Sequence, residues 1–120
     1  HLCMPLNMVS MAIYVTLEGK IPRTPLFENY PFYSQENSSD PLVIAKLFDA
    51  YGSATWYITE YSSVENTAFA YVTGLTSDEW GYVSLTELES IMLAPQLPRI
   101  ERDMYFESTK FSELKLKKAC

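Results

Sequence analysis

Histidine and cysteine are almost absent from this sequence. The only histidine is His1, and the two cysteines, Cys3 and Cys120, stand near opposite ends of the 120 residues. No Cys-x-x-Cys pair or Cys/His cluster is present, which excludes the usual zinc sites, a histidine general base inside the fold and a Ser-His-Asp triad. A glycine-rich phosphate loop and a nucleophile elbow are also missing. We therefore expect a protein that is not an enzyme and that uses no cofactor and no metal.

The scarcity of cysteine also bears on the cellular compartment. Small secreted domains are usually much richer in cysteine, so we expect a reducing, cytoplasmic setting, with a bridge between Cys3 and Cys120 left open. The apolar stretch at residues 8–15 is far shorter than the roughly 20 residues that span a bilayer, and it lacks the features of a signal peptide. We expect no membrane insertion. Residues 1–20 are predicted to be an N-terminal extension or an expression remnant, and residues 21–120 a single domain.

Basic side chains are few and unevenly placed. Nine lysines and arginines stand against fifteen acidic residues, for a formal net charge of −6. This balance argues against a protein that contacts nucleic acid directly, because such a protein needs a basic face. Residues 60–107 hold nine acidic and two basic side chains, whereas residues 108–120 hold one acidic and four basic. The acidic middle is either a solvated surface that keeps the protein soluble or a docking face for a basic partner.

The distribution of apolar residues predicts a β-sheet. Residues 19–41 are rich in proline and are predicted to be extended chain and turns, pinned to the domain by their aromatic side chains. Four later runs, rich in β-branched and aromatic residues, are predicted to be strands joined by short loops, which favours an antiparallel meander. These predicted strands are residues 42–48, 55–61, 67–73 and 79–83, with a short fifth at residues 99–106.

Two helices are predicted after the sheet. Ser84 and Glu87 match a capping box, and Leu85, Leu88, Ile91 and Met92 then recur at helical spacing. Prolines that follow should end this first helix. Residues 109–119 are predicted to form a second helix, with lysines at its C-terminal end, where the helix dipole favours them. The predicted fold class is α+β: an antiparallel sheet of four to five strands, followed by and packed with two C-terminal helices.

Several short segments follow one another in a recognisable order. They are Pro25-Leu26-Phe27, Tyr33-Ser34-Gln35-Glu36, Ala45-Lys46-Leu47-Phe48 and the runs at residues 55–61, 68–74, 80–89 and 101–106. Their order resembles the domain-of-unknown-function family DUF2958, over roughly residues 21–115, and the first twenty residues depart from the pattern. The resemblance implies a small protein of plasmids, integrative elements or phages, and it brings no enzymatic activity or catalytic residue.

Glu60 is the first candidate site residue. Strand alternation would put Glu60 on the same face as Trp56 and Ile58, where a buried carboxylate is costly without a partner. Arg102 is the partner that we expect. A structural ion pair, exposure at the strand end and a functional carboxylate are the three alternatives.

Two other segments concentrate charge or aromatic side chains. In a strand, Glu101 and Asp103 point to one side and Arg102 to the other. The two carboxylates could bind a cation or a basic side chain, or the charges could be solvated and guard an exposed edge. Asp78, Glu79, Trp80 and Tyr82 surround Gly81. They could form an interface or part of the core, and Gly81 hints at a bulge or at the close approach of a partner.

These observations lead to one expected function and two alternatives. We expect a non-enzymatic binding protein of a phage or mobile element, which docks through an acidic, aromatic face on a host or defence protein with a basic surface and inhibits or modulates it. Nucleic-acid mimicry is one form that this inhibition could take. One alternative is a small hydrolase or metal-assisted enzyme that uses Glu60, Glu101 and Asp103. The other is a self-associating structural module, with a homodimer formed by strand edges. The residues expected to bind the partner are Glu60, Asp78, Glu79, Trp80, Tyr82, Glu101, Arg102 and Asp103.

Overall fold

The structure is a computed structural model that describes residues 21–95 and 97–114. The predicted N-terminal extension, residues 1–20, lies outside the described part. Cys3 and Cys120 also lie outside it, so the structure does not test a disulfide between them. No helix in the described part is long and apolar enough to cross a membrane. The elements are α1 (Leu26–Asn29), β1 (Leu42–Val43), β2 (Ala45–Asp49), β3 (Thr55–Ser62), β4 (Thr67–Thr73), β5 (Glu79–Ser84), α2 (Leu85–Glu89), β6 (Met92–Ala94), β7 (Leu97–Pro98), β8 (Ile100–Arg102), β9 (Thr109–Lys110) and a 3-10 helix (Phe111–Leu114).

A five-stranded antiparallel sheet dominates the fold. Strands β2 to β5 follow each other in the chain and in space, and β8 adds beside β2, which gives the order β5-β4-β3-β2-β8. The meander predicted from the short loops is confirmed, and β4 has the predicted bounds. The predicted strand at residues 42–48 is divided into β1 and β2. The predicted fifth strand is only the three residues of β8.

One face of the sheet, called the inner face here, carries the hydrophobic core. Ala45 and Leu47 of β2, Ile58 of β3 and Ala70 of β4 are fully buried on it. Phe27 of α1 is 2% exposed and packs edge-on against Tyr61, with ring centroids 5.1 Å apart. Burying a side chain of this size stabilises a fold by about 2 kcal/mol. The segment before the sheet is therefore pinned by an aromatic residue, as predicted, although it includes one helical turn.

A β-bulge in β3 changes the face on which Glu60 lies. Ile58 pairs with Ala70, but Glu60 pairs with Phe69, so Thr59 is the extra residue between them. An extra residue shifts the alternation of side chains by one position. Glu60 therefore lies on the opposite face from Trp56 and Ile58, and the prediction that the three share a face is wrong.

The predicted α+β class with two C-terminal helices is wrong, because the described chain is largely β. The capping box is confirmed at its first half, since the side chain of Ser84 accepts the N–H of Glu87 at 3.2 Å. The helix that follows ends at Glu89, after five residues. Ile91 and Met92, predicted to face inward, are 41% and 36% exposed, whereas Leu85 and Leu88 are buried as predicted.

The second predicted helix is replaced by shorter elements. Thr109 and Lys110 pair with Val43 and Leu42 as strand β9, and only one 3-10 turn follows. The N–H of Phe111 donates to the C=O of Pro41 at 2.8 Å, which extends this pairing. Partners distant in sequence thus take the main-chain groups that a helix would have used. Residues 115–119 of the predicted helix lie outside the described part.

Candidate functional site

The face of the sheet opposite the core, called the outer face here, is covered with aromatic rings. Cross-strand register places Tyr71 beside Trp80 and Phe69 beside Tyr82. Phe69 and Trp80 stack with centroids 5.5 Å apart, and Trp80 also meets Phe111 at 4.9 Å. Such stacked and tilted pairs are favourable beyond the area they bury. Trp80 nevertheless remains 36% exposed and Tyr82 58% exposed, so part of this surface faces solvent.

The loop of residues 31–41 is fastened to the outer face by Glu60. Its Oε1 accepts the main-chain N–H of Tyr33 at 2.8 Å, and its Oε2 accepts that of Gln35 at 2.9 Å. Tyr33 has a φ of 72°, a left-handed conformation that is unfavourable for a tyrosine unless its surroundings hold it. The carboxylate is 4% exposed and is satisfied by two donors. Glu60 is thus a structural anchor.

Gln35 fixes the same loop to two strands. Its side-chain Nε2 donates to the C=O of Leu42 and of Thr59, both at 2.8 Å, and its Oε1 accepts the N–H of Leu42 at 2.7 Å. An amide side chain that uses three of its hydrogen-bonding positions has one fixed orientation. The loop therefore stands as an ordered wall along the sheet.

The C-terminal 3-10 helix forms the end of this wall. Asp40 accepts the N–H of Ser112 at 2.8 Å and its hydroxyl at 2.7 Å. These two hydrogen bonds lower the pKa of Asp40 below its ordinary value. Because this contact ties residue 112 to the loop, Phe111 is held over Tyr71 and Trp80.

Between the loop and the sheet lies a cavity of about 500 Å³, called the aromatic groove here. Among the described residues, its lining includes two carboxylates, Glu36 and Glu60, and no basic side chain. The pKa of Tyr82 is raised, first by burial and by the neighbouring Tyr33, and then by Glu60 and Glu36. Nearby negative charges raise the pKa of a phenol because they disfavour its ionised form. The lining residues are Tyr33, Gln35, Glu36, Ser38, Ser39, Pro41, Thr59, Glu60, Phe69, Trp80, Tyr82 and Phe111.

Three of the residues predicted to bind a partner line this groove: Glu60, Trp80 and Tyr82. Asp78 instead accepts the N–H of Gly74 at 3.2 Å and closes a turn. Glu79 pairs with Val72 and so belongs to the inner-face side of β5. The segment at residues 78–82 is therefore divided between two faces, with its aromatic side chains on one and Glu79 on the other.

The remaining predicted residues lie at the far edge of the sheet. Glu101 and Arg102 belong to β8, and four strand spacings of about 4.8 Å separate β8 from β5. Glu101 is 6% exposed and Arg102 is 7% exposed, so the prediction of solvated edge charges is wrong for both. Burial raises the pKa of Glu101. Asp103 forms an ion pair with Lys46 at 3.6 Å.

Arg102 does not pair with Glu60, because the two side chains lie on opposite faces of the sheet. Arg102 shares the inner face with Leu47, and its guanidinium lies over the ring of Phe27 at 5.2 Å. Its Nη1 donates to the C=O of Pro22 at 3.0 Å, and its Nε has no hydrogen-bond partner among the described residues. Burial, and then the proximity of Arg23, lower the pKa of Arg102.

The three carboxylates predicted for a metal-assisted enzyme are not brought together. Glu60 lies on β3 and is held by main-chain donors of the loop, whereas Glu101 and Asp103 lie at the β8 edge of the sheet. Within residues 21–95 and 97–114, no group of three or more histidine, cysteine, aspartate or glutamate side chains could hold a metal ion.

The loop side of the groove was not predicted from the sequence. Tyr33, Gln35 and Glu36 belong to the segment predicted to be extended chain and turns, yet they form one wall. Phe69 and Tyr71 alternate with alanine and valine along β4, as Trp80 and Tyr82 do around Gly81. This period of two was the available signal for an aromatic sheet face.

Comparison with known proteins gives one match. Neither curated proteins nor solved structures match the chain. A family profile described as a protein of unknown function, DUF2958, matches residues 20–117. This confirms the resemblance found in the sequence, and the loop, the sheet and the 3-10 helix that form the aromatic groove all lie within the matched range. The chain therefore belongs to the DUF2958 family.

Proposed function

We propose that this is a non-enzymatic binding protein that docks its aromatic groove against a basic surface of another protein. The observation that carries the proposal is the groove itself, which combines partly exposed aromatic rings with two carboxylates and which no basic side chain of residues 21–95 and 97–114 lines. Aromatic faces and carboxylates both attract lysine and arginine side chains. Such a surface is built to receive a cation rather than an anion.

The groove also has the features of an energetic centre in a protein interface. Trp80 and Tyr82 are residue types that dominate interface hot spots. They stand on a rigid sheet, so little conformational entropy is lost when a partner packs against them. An arginine of the partner could stack on Trp80 and reach the exposed carboxylate of Glu36.

The partner that we propose is a host or defence protein, which the binding inhibits or modulates. The protein would act in the cytoplasm as a product of a phage or mobile element. Docking takes place through the groove rather than through one continuous acidic surface, because Glu79 and Glu101 stand on the two edge strands of the sheet. Nucleic-acid mimicry by a broad array of carboxylates therefore receives no support.

A matched pair of charge reversals tests the proposal. Glu36 and Glu65 are both exposed glutamates, but only Glu36 lines the groove. The wild type, Glu36→Lys and Glu65→Lys would each be used to capture partners from host lysate at low and at high salt. We expect wild type and Glu65→Lys to retain the same basic protein at low salt, and Glu36→Lys to lose it. Equal capture by the two variants, or no specific capture at all, would contradict the proposal.

A further inference from the structure

Within the described part of the chain, strand β5 is an open edge of the sheet. It pairs with β4 on one side only, and it stands last in the strand order. The other edge strand, β8, has three residues, all buried, whereas β5 has six residues, none of them buried. An exposed edge strand presents main-chain donors and acceptors that another chain can pair with.

The register shows which main-chain groups point outward. The N–H of Leu85 donates to the C=O of Asn66, just beyond the Thr67–Ser84 pair. In an antiparallel ladder, hydrogen-bonded and non-hydrogen-bonded pairs alternate, so Gly81 is bonded to Ala70 and the pairs on either side are not. The N–H and C=O groups of Trp80 and Tyr82 therefore point away from β4, toward the open edge.

Apart from the charge of Glu79 at its start, this edge has few of the usual devices that block pairing. Residues 79–84 include no proline and no lysine, and the pairing of β5 with β4 shows no register shift. A Cβ built on Gly81 would have no atom within 4 Å among the described residues, so the inner face of the strand is open at its middle to the close approach of another chain. Glycine inside a strand often marks such an approach.

Cavities border β5 on both faces of the sheet. The aromatic groove lies on the outer face. A second cavity of about 380 Å³ lies along β5 and includes the inner-face residues Val72, Glu79 and Val83. Side chains of an added strand would enter the two cavities in turn, because successive side chains point to opposite faces.

We infer that an extended segment of a partner protein adds to β5 as a sixth strand, with basic side chains in the aromatic groove and apolar side chains in the second cavity. This inference rests on the proposed function and specifies how the partner is held. Among the described residues, neither cavity is lined by a basic side chain, and together they contain Glu36, Glu60 and Glu79. A basic segment complements that charge, whereas a second copy that paired through its own β5 would bring a second Glu79 to the same edge.

The probe is a capped peptide with as many residues as β5, in which arginine alternates with valine. A second peptide carries N-methyl groups on alternate residues, which removes main-chain donors but keeps every side chain. A third has glutamate in place of arginine. Binding would be measured by calorimetry, and amide exchange would be followed by NMR for Trp80 and Tyr82, with Gly81 as the internally bonded reference.

We expect the arginine peptide to bind and to slow exchange at Trp80 and Tyr82, while Gly81, which already pairs with Ala70, changes little. We expect N-methylation to weaken binding by about tenfold, the equivalent of one or two hydrogen bonds. Equal binding of the methylated peptide would overturn the sixth strand and leave binding in the groove intact. No binding of the arginine peptide at millimolar concentration would also overturn it. So would slow amide exchange at Trp80 and Tyr82 that appears without peptide and increases with protein concentration, because the added strand would then come from a second copy.

A pair of variants gives an independent readout. Tyr82→Ala removes the ring, and Tyr82→Pro removes the ring and also the outward N–H, without loss of a bond to β4. We expect the proline variant to bind the arginine peptide about tenfold more weakly than the alanine variant. Equal affinity, with both variants folded by circular dichroism, would contradict pairing at this edge.

Discussion

The carboxylate of Glu60 binds the main-chain N–H of Tyr33 at 2.8 Å across 27 positions of the sequence. A residue on the floor of the aromatic groove thus holds the loop that forms its wall. Tyr33 is in a left-handed conformation and is 61% exposed, so its surroundings must hold the backbone in this shape. Glu60 supplies that constraint, through hydrogen bonds to a charged acceptor, which are stronger than neutral ones.

Glu60→Ala should destabilise the protein. The change leaves two main-chain donors, those of Tyr33 and Gln35, without their acceptor, and we expect the free energy of unfolding to fall by about 3 kcal/mol. Urea denaturation measures this loss. Glu36→Ala is the control, because Glu36 is exposed and its side chain anchors nothing, so we expect a change within about 0.5 kcal/mol. Equal effects of the two variants would show that Glu60 is not the anchor.

The face of Glu60 could not be predicted from the sequence. Strict alternation along residues 55–61 puts Glu60 beside Trp56 and Ile58, and only a bulge reverses that. A bulge at Thr59 cannot be recognised in the hydrophobic periodicity, because its effect on stability depends on how the strand pairs with its neighbour. The strands themselves were predictable, since β-branched and aromatic runs with short loops allow little else.

The helices show where local signals end. Ser84 and Glu87 correctly predict where α2 begins, because a capping box is a local arrangement of neighbouring residues. Its end at Glu89 and the loss of the second helix depend on distant partners, such as Pro41 for Phe111 and Asp40 for Ser112. A local sequence pattern does not show those long-range contacts. Short helices have little stability of their own, so hydrogen bonds to distant partners readily replace the helical ones.

Glu101 should make stability depend on pH in a defined direction. Burial raises its pKa, and no hydrogen bond or ion pair to its side chain exists among the described residues. An acid whose pKa is higher in the folded state stabilises the fold below its unfolded pKa, and this contribution is lost as pH rises through the folded pKa. Glu101→Gln, which stays neutral, should therefore raise the free energy of unfolding by about 1 kcal/mol at neutral pH and have little effect in acid.

Melting temperatures of wild type and Glu101→Gln across the acidic to neutral range measure this difference. Glu107→Gln is the control at an exposed position of the same segment. A gain in acid, or an equal gain in the control, would contradict the assignment of the effect to burial.

The most direct measurement of binding in the aromatic groove is the fluorescence of Trp80. The sequence has two tryptophans, and Trp56 is 8% exposed in the core, so Trp56→Phe leaves Trp80 as the sole reporter. This variant would be titrated at low salt with the capped arginine–valine peptide and with its glutamate counterpart, and calorimetry would confirm binding. We expect the arginine peptide alone to shift the emission of Trp80 to shorter wavelength, and added salt to reverse the shift. Unchanged emission while calorimetry detects binding would show that the basic ligand lies elsewhere and would contradict the groove as the docking site.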